Sequence, residues 1–160
     1  APASICLICE IAAWAKDQGK TLFDLLMDIY SEYGFQKETT INVVKPGKSG
    51  ADEIRQMMEN FRTNPPKQIA GSPVVVIKDY KTLKMTENGV EKDFLMPATS
   101  NVLQWFTEDG LKISVRPSGT EPKIKFYCEV PAPFSGAADF DAANAAAEEK
   151  VKQIKQDLGL

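Results

Sequence analysis

The residues best suited to chemistry in this chain lie together in one stretch, SVRPSGTEPKIKFYCEV, from Ser114 to Val130. Both ends alternate like strand, whereas Arg-Pro-Ser-Gly-Thr-Glu-Pro in the middle does not. Pro117 bars a ladder donor. Ser118, Gly119 and Thr120 bring two hydroxyls and successive backbone N–H groups, and glycine lets such a segment bend into an αL-type nest whose amides converge. Arg116 adds a planar fork of donors suited to a tetrahedral oxyanion. From Lys112 to Lys125 four basic residues (Lys112, Arg116, Lys123, Lys125) stand against Glu121, a formal +3, on a chain whose net charge is −3. A local positive loop on an acidic chain is what a phosphate grip requires. Turn chemistry alone leaves a second reading open, a tight turn whose arginine is a surface charge.

Other candidate motifs read more plainly. The chain has no histidine, which excludes imidazole acid–base catalysis, Ser-His-Asp triads and Cys₂His₂ zinc sites within it. Cys6-Leu7-Ile8-Cys9 spells C-x-x-C, but its neighbours are apolar and no strand precedes it, so both are expected as buried helix cysteines. Cys128 alternates in a strand and is expected in the core or at an edge. Gly47-Lys48-Ser49 looks like the end of a P-loop, yet Asn42 stands where that motif needs glycine; Ser49 is expected instead to cap a helix, with Asp52 three residues on. Asp52-Glu53 and Glu148-Glu149 read as solvated helix faces. No carboxylate cluster looks like a metal site, and no residue looks catalytic.

The elements that must hold the basic loop follow from periodicity. Ser4 to Gln18 predicts a helix that is apolar nearly all round. A second helix runs from Thr21, a good N-cap, with Asp24 in place, to Gly34. Such a first helix wants cover on more than one face. The chain is therefore expected to be the C-terminal piece of a larger protein, carrying the tail of a preceding domain; the alternative reading is that both helices pack on this domain's own helices. Phe35 to Thr40 reads as a connector and Thr40 to Val44 as a short strand. A helix after Ser49 carries Ile54, Met57, Met58 and Phe61 on one stripe. Pro73 to Tyr80 is the clearest strand, and Lys81 to Thr99 is irregular around Asn88-Gly89. Val102–Phe106 and Leu111–Val115 predict a hairpin, Ile124–Val130 another strand, and Ala143, Ala147, Val151, Ile154 and Leu158 stripe a closing helix. The fold class expected is α+β, a mostly antiparallel sheet with helices on one face. No apolar run is long enough to span a membrane. Three cysteines make no disulfide framework, so a cytoplasmic setting is expected. The mild acidity argues against a nucleic-acid or membrane-surface partner.

Arg116-Pro117-Ser118-Gly119-Thr120-Glu121-Pro122-Lys123 resembles the C-terminal phosphate-binding loop of the α-D-phosphohexomutases, the phosphoglucomutase and phosphomannomutase enzymes. The resemblance extends to the hairpin before it, the strand after it and the helix from Thr21 to Gly34. It implies a fourth domain of TATA-binding-protein-like shape over residues 38–160, preceded over 1–37 by helices of a third, α/β domain. It implies that Arg116, Ser118, Gly119 and Thr120 hold the non-transferring phosphate of a glucose or mannose phosphate, with Lys123 or Lys125 helping. The family are isomerases that move a phosphoryl group between the 1- and 6-positions of a hexose. They do so through a phosphoserine and a bisphosphorylated sugar, with Mg²⁺. No Ser-His-Asn-Pro stretch, no Asp-x-Asp-x-Asp loop and no Gly-Glu-x-Ser segment occurs here, so this chain is expected to be inactive alone, to hold no cofactor, and to work with the remaining domains of a parent enzyme. Two competing readings are a free-standing sugar-phosphate or anion-binding module and a structural domain of the same shape.

Overall fold

A computed structural model describes residues 2–47 and 49–160; Lys48, the centre of the P-loop-like stretch, lies outside the described residues. The fold is α+β. In chain order it runs α1 (Pro2–Asp17), α2 (Leu22–Tyr33), β1 (Phe35–Val44), α3 (Gly50–Thr63), β2 (Gln68–Ile69), β3 (Ser72–Asp79), β4 (Lys84–Glu87), β5 (Val90–Asp93), β6 (Leu103–Thr107), β7 (Lys112–Pro117), β8 (Lys123–Ala132) and α4 (Phe140–Asp157). Two compact units emerge. One combines the residues up to Gln36 with Ala132–Ala146, and the other combines Lys37–Pro131 with Ala147–Leu160.

The first unit is built on α1 and α2. Thr21 and Asp24 form a full capping box, the side chain of each accepting from the other's backbone amide, which satisfies two of the amides a helix start leaves open. An aromatic cluster closes this unit: Tyr30 lies 4.8 Å from Phe35 and 5.8 Å from Phe134, and Phe23 meets Phe140 edge-on at 5.3 Å. Its helices bury little. Ala15 is the buried residue of α1, while Ile5, Leu7, Ile8 and Trp14 are exposed. Cys6 and Cys9 are exposed as well, which corrects the expectation that they are buried. Their apolar neighbours are themselves uncovered here, so composition alone misjudged their surroundings.

The second unit is the sheet with α3 and the end of α4. Strand order is β1-β8-β7-β6-β3-β4-β5, with β2 paired to β3, and the registered pairs from β2 to β8 are antiparallel. Side chains alternate between faces with period 2, so the register sorts them into rows. Ile77, Trp105, Ile113 and Cys128 oppose one another across β3, β6, β7 and β8, and Leu103, Val115 and Phe126 make the next row. Apart from the half-buried Ile77, these residues are buried. On this face Phe61 of α3 meets Trp105 edge-on at 5.1 Å and Phe126 at 6.0 Å, and Ala147, Ile154 and Leu158 of α4 join the core. Burial pushes the Cys128 thiol up to about 12, which leaves it a packing group rather than a nucleophile. The opposite face is half-buried and polar. It carries the rows Lys78-Gln104-Ser114-Tyr127 and Phe106-Lys112-Glu129, and the pair Arg116-Lys125.

Several elements depart from expectation. β1 starts at Phe35, not Thr40, because Lys37 and Thr39 occupy half-buried strand positions that carry no apolar signal. The irregular stretch after Lys81 contains a true hairpin, β4 to β5, turning on Asn88 and Gly89, both at positive φ, as a type I′ turn demands. Ser49 does not cap α3 through its side chain. Its backbone is already helical, and its hydroxyl donates to Glu53 instead. The close approach at this corner falls on Gly50, where an added Cβ would run into the Lys45 carbonyl.

The β6–β7 turn is tied to α4. Asp109 accepts from Lys150 at 2.7 Å and from the Thr107 hydroxyl. Burial pushes its carboxyl up, but bonds from Lys150, Thr107 and Ser72 outweigh that and hold it at about 2, below the ordinary 3.8. A depressed carboxyl contributes stability above its unfolded pKa and loses it as pH falls through the folded one. Asp109→Asn should therefore flatten the fall in stability between about pH 4 and pH 2. Urea titrations across that window check this; parallel curves for the two proteins would contradict it.

Candidate functional site

The segment Ser118 to Pro122 links β7 to β8. Its closure is backbone-made: the Ser118 amide donates to the Lys123 carbonyl at 2.8 Å, and the Lys123 amide to the Glu121 carbonyl at 2.8 Å. The Thr120 and Glu121 amides turn toward the Ser118 Oγ, at 3.5 and 3.3 Å. Two expectations are corrected here. The Ser118 amide is spent within the hairpin and does not join a converging set. Gly119 is also absent from the glycines at positive φ, so no αL nest forms, since hairpin loops of four or five residues are most often built on a type I turn. A Cβ at Gly119 would nonetheless meet nothing within 4 Å. The chain itself leaves open space above this backbone, into which a ligand can come close.

Arg116 and Lys125 oppose each other in register on the open face, at the end of the sheet where the loop begins. A cleft of about 240 Å³ opens there, lined by Arg116, Pro117, Ser118, Gly119, Lys123, Lys125 and Tyr127. It gathers five of the six expected binding residues. Thr120 is not among them. With Ser118 and Gly119 it lines a second cleft of about 460 Å³ on the α3 side, beside Ala51, Ile54, Arg55 and Met58.

The cations differ in their freedom. Lys112 is tied across the strands to Glu129 at 2.7 Å, and Lys123 is ion-paired with Glu121. Arg116 is exposed and, like Lys125, has no carboxylate partner among the described residues; the Lys125 ammonium instead lies 6.0 Å from the centroid of the Tyr127 ring. The effective positive field at the loop is thus narrower than the formal count, and rests on Arg116 and Lys125. Glu121 acts as a resident counter-ion: its bond with Lys123 and the charges of Lys123 and Lys125 hold its carboxyl below the usual range. An anion entering the cleft competes with it for Lys123. Glu121→Gln should therefore tighten inorganic phosphate binding by about two- to five-fold, the small scale of an exposed ion pair, with the gain shrinking as salt rises. Isothermal titration at low and high ionic strength reads this; unchanged or weaker binding would refute it.

Tyr127 was missed by reading the sequence as a run of charges. Strand alternation holds the signal, because a residue two beyond Lys125 shares its face.

Among the described residues no three His, Cys, Asp or Glu side chains gather in a way that could hold a metal ion. No described helix is long and apolar enough to cross a membrane.

Residues 53–147 match the family described as "Phosphoglucomutase/phosphomannomutase, C-terminal domain". The chain is 38% identical over 123 residues to a phosphoglucomutase of Staphylococcus haemolyticus, covering 76% of this chain and 22% of that protein. To a phosphoglucomutase of Staphylococcus aureus it is 38% identical over 138 residues, covering 84% of this chain and 24% of that one. The chain thus spans less than a quarter of the length of these relatives. A crystal structure of the Paramecium phosphoglucomutase pp63/parafusin, in its open form, superposes with a TM-score of 0.46 at 14% identity, over 88% of this chain and 24% of that one.

Proposed function

The chain belongs to the phosphoglucomutase/phosphomannomutase C-terminal domain family, and on that footing we propose that it grips the non-transferring phosphate of a hexose phosphate while the phosphoryl group moves between the 1- and 6-positions. The observation that carries this reading is the cleft lined by Arg116, Lys125 and the Ser118-Gly119 segment, in which neither cation has a carboxylate ion-pair partner among the described residues. A tetrahedral dianion accepts two bonds from a guanidinium, and further bonds from lysine and from backbone amides, each charge-assisted bond stabilising it by roughly 1.5–3 kcal/mol. The Thr120 and Glu121 amides, which turn toward the Ser118 Oγ, are further donors that this reading gives to a phosphate oxygen.

The part played is positional. Binding energy taken from the phosphate that does not react holds the sugar still at the end that does. A grip that reads the phosphate can accept it on C1 or on C6, which suits a bisphosphate that must turn about in the site. In this reading residues 1–37 are the last helices of a third domain and 38–160 a fourth. The phosphoserine and the Mg²⁺ ligands lie on parts of the parent enzyme outside this chain, and this chain alone turns over no substrate. The free thiols Cys6, Cys9 and Cys128 accord with the reducing cytoplasm we assign to it.

Titrating the labelled chain with inorganic phosphate tests the proposal. Amide shifts should concentrate at Arg116, Ser118, Gly119, Thr120, Lys123 and Lys125. A response centred elsewhere, or none at millimolar phosphate, would remove this site from the reading.

A further inference from the structure

Beyond the phosphate, the open sheet face next to the cleft has the makings of a carbohydrate platform. This inference rests on the phosphate reading above and extends it to the ring that carries the phosphate. Tyr127 lines the same cleft as Arg116 and Lys125 and stays 39% exposed, although it sits in the interior strand β8 between β1 and β7. Its ring stands on the polar face, two residues from Lys125, so the two side chains leave the strand about 7 Å apart. A hexose bearing one phosphate spans that distance. Opposite Tyr127 in register is Ser114. Ser114 ends a directed chain of hydrogen bonds: the Tyr80 hydroxyl donates to Gln104 Oε1 at 2.8 Å, and Gln104 Nε2 donates to Ser114 Oγ at 2.9 Å. Because Ser114 Oγ accepts from Gln104, it keeps its own proton to donate.

We propose that Tyr127, flanked by the oriented Ser114 hydroxyl, is the surface on which the sugar ring of the bound hexose phosphate lies. One side of a pyranose presents C–H groups and can cover an aromatic face, while its hydroxyls reach outward to donors such as Ser114. On this otherwise polar face the Tyr127 ring supplies the aromatic surface that such stacking needs, with a polar tip at its edge. The Lys125 ammonium near the ring joins the two halves, phosphate at one end and sugar at the other.

The experiment compares two probes, inorganic phosphate and glucose 1-phosphate, titrated into the chain as wild type, Tyr127→Leu, Tyr127→Phe and Arg116→Ala. The wild type should bind glucose 1-phosphate about five-fold more tightly than inorganic phosphate, the order of one exposed aromatic contact. Tyr127→Leu should erase that preference by weakening glucose 1-phosphate alone, and Tyr127→Phe, which keeps the ring, should retain it. A wild type without preference overturns the platform. So does a Tyr127→Leu chain in which both probes weaken equally, because Tyr127 would then only steady Lys125; a loss of preference in Tyr127→Phe overturns it too. Arg116→Ala separates the two levels. If it leaves inorganic phosphate binding unchanged, the phosphate grip itself fails. If it weakens both probes while the Tyr127 variants keep the wild-type ratio, the grip stands and the platform falls.

Discussion

Arg116→Ala should weaken binding of inorganic phosphate by about ten- to one-hundred-fold while leaving the melting temperature within a degree or so of the wild type. The size follows from the loss of charge-assisted bonds of about 1.5–3 kcal/mol, at 1.4 kcal/mol per factor of ten. The neutrality toward folding follows from the position of the side chain. It is exposed at the end of β7 and has no carboxylate partner among the described residues, so its removal strands no buried charge. Arg116→Lys is the finer test. It keeps the charge but not the planar fork, and a lysine engages phosphate as a point charge. Affinity should fall between those of the wild type and the alanine variant. If lysine restores the wild-type constant, the site attracts anions by field alone and the bidentate geometry plays no part. If alanine binds as well as arginine, Arg116 is a surface charge at a tight turn and the cleft is not a phosphate site.

Where sequence periodicity met a one-sided sheet, the fold was legible. Leu103 and Trp105 alternate with Gln104 and Phe106, and Ile113 and Val115 with Lys112 and Ser114, so the β6–β7 hairpin and its buried face could be read directly. β4 and β5 could not, because Lys84 to Asp93 carries few apolar residues and its pairing is specified mainly by the Asn88-Gly89 turn. The basic loop was legible for a similar local reason: its residue types are adjacent in the chain. Which cations remain available was not, since that depends on partners from other strand positions. Glu129 reaches Lys112 across β7 and β8, and Glu121 folds back onto Lys123. The Ser118 amide is likewise consumed by a hairpin closure that composition does not reveal.

Trp105→Ala should be the most costly core substitution, lowering the stability of the sheet unit by about 3–5 kcal/mol. The indole is fully buried in the middle of a row that crosses four strands, between Ile77 and Ile113, with Phe61 of α3 edge-on at 5.1 Å. Alanine would remove the surface on which α3 rests, and the same helix borders the larger cleft beside the loop through Ala51, Ile54, Arg55 and Met58. Against a total stability on the order of 5–15 kcal/mol, this loss brings the unit near its unfolding threshold at moderate temperature. One feature of the site tempers the cost for a different substitution. Trp105 Nε1 is buried without a hydrogen-bond partner among the described residues, and such a donor carries a desolvation penalty of about 1–3 kcal/mol. Trp105→Phe removes that donor along with part of the ring. Its loss of packing is therefore partly offset, and the variant should stay within about 2 kcal/mol of the wild type. Urea denaturation followed by far-UV circular dichroism distinguishes the outcomes. An alanine variant within 1 kcal/mol of the wild type would mean that α3 does not depend on this indole. A phenylalanine variant as unstable as the alanine one would mean that the unpaired N–H costs the fold nothing.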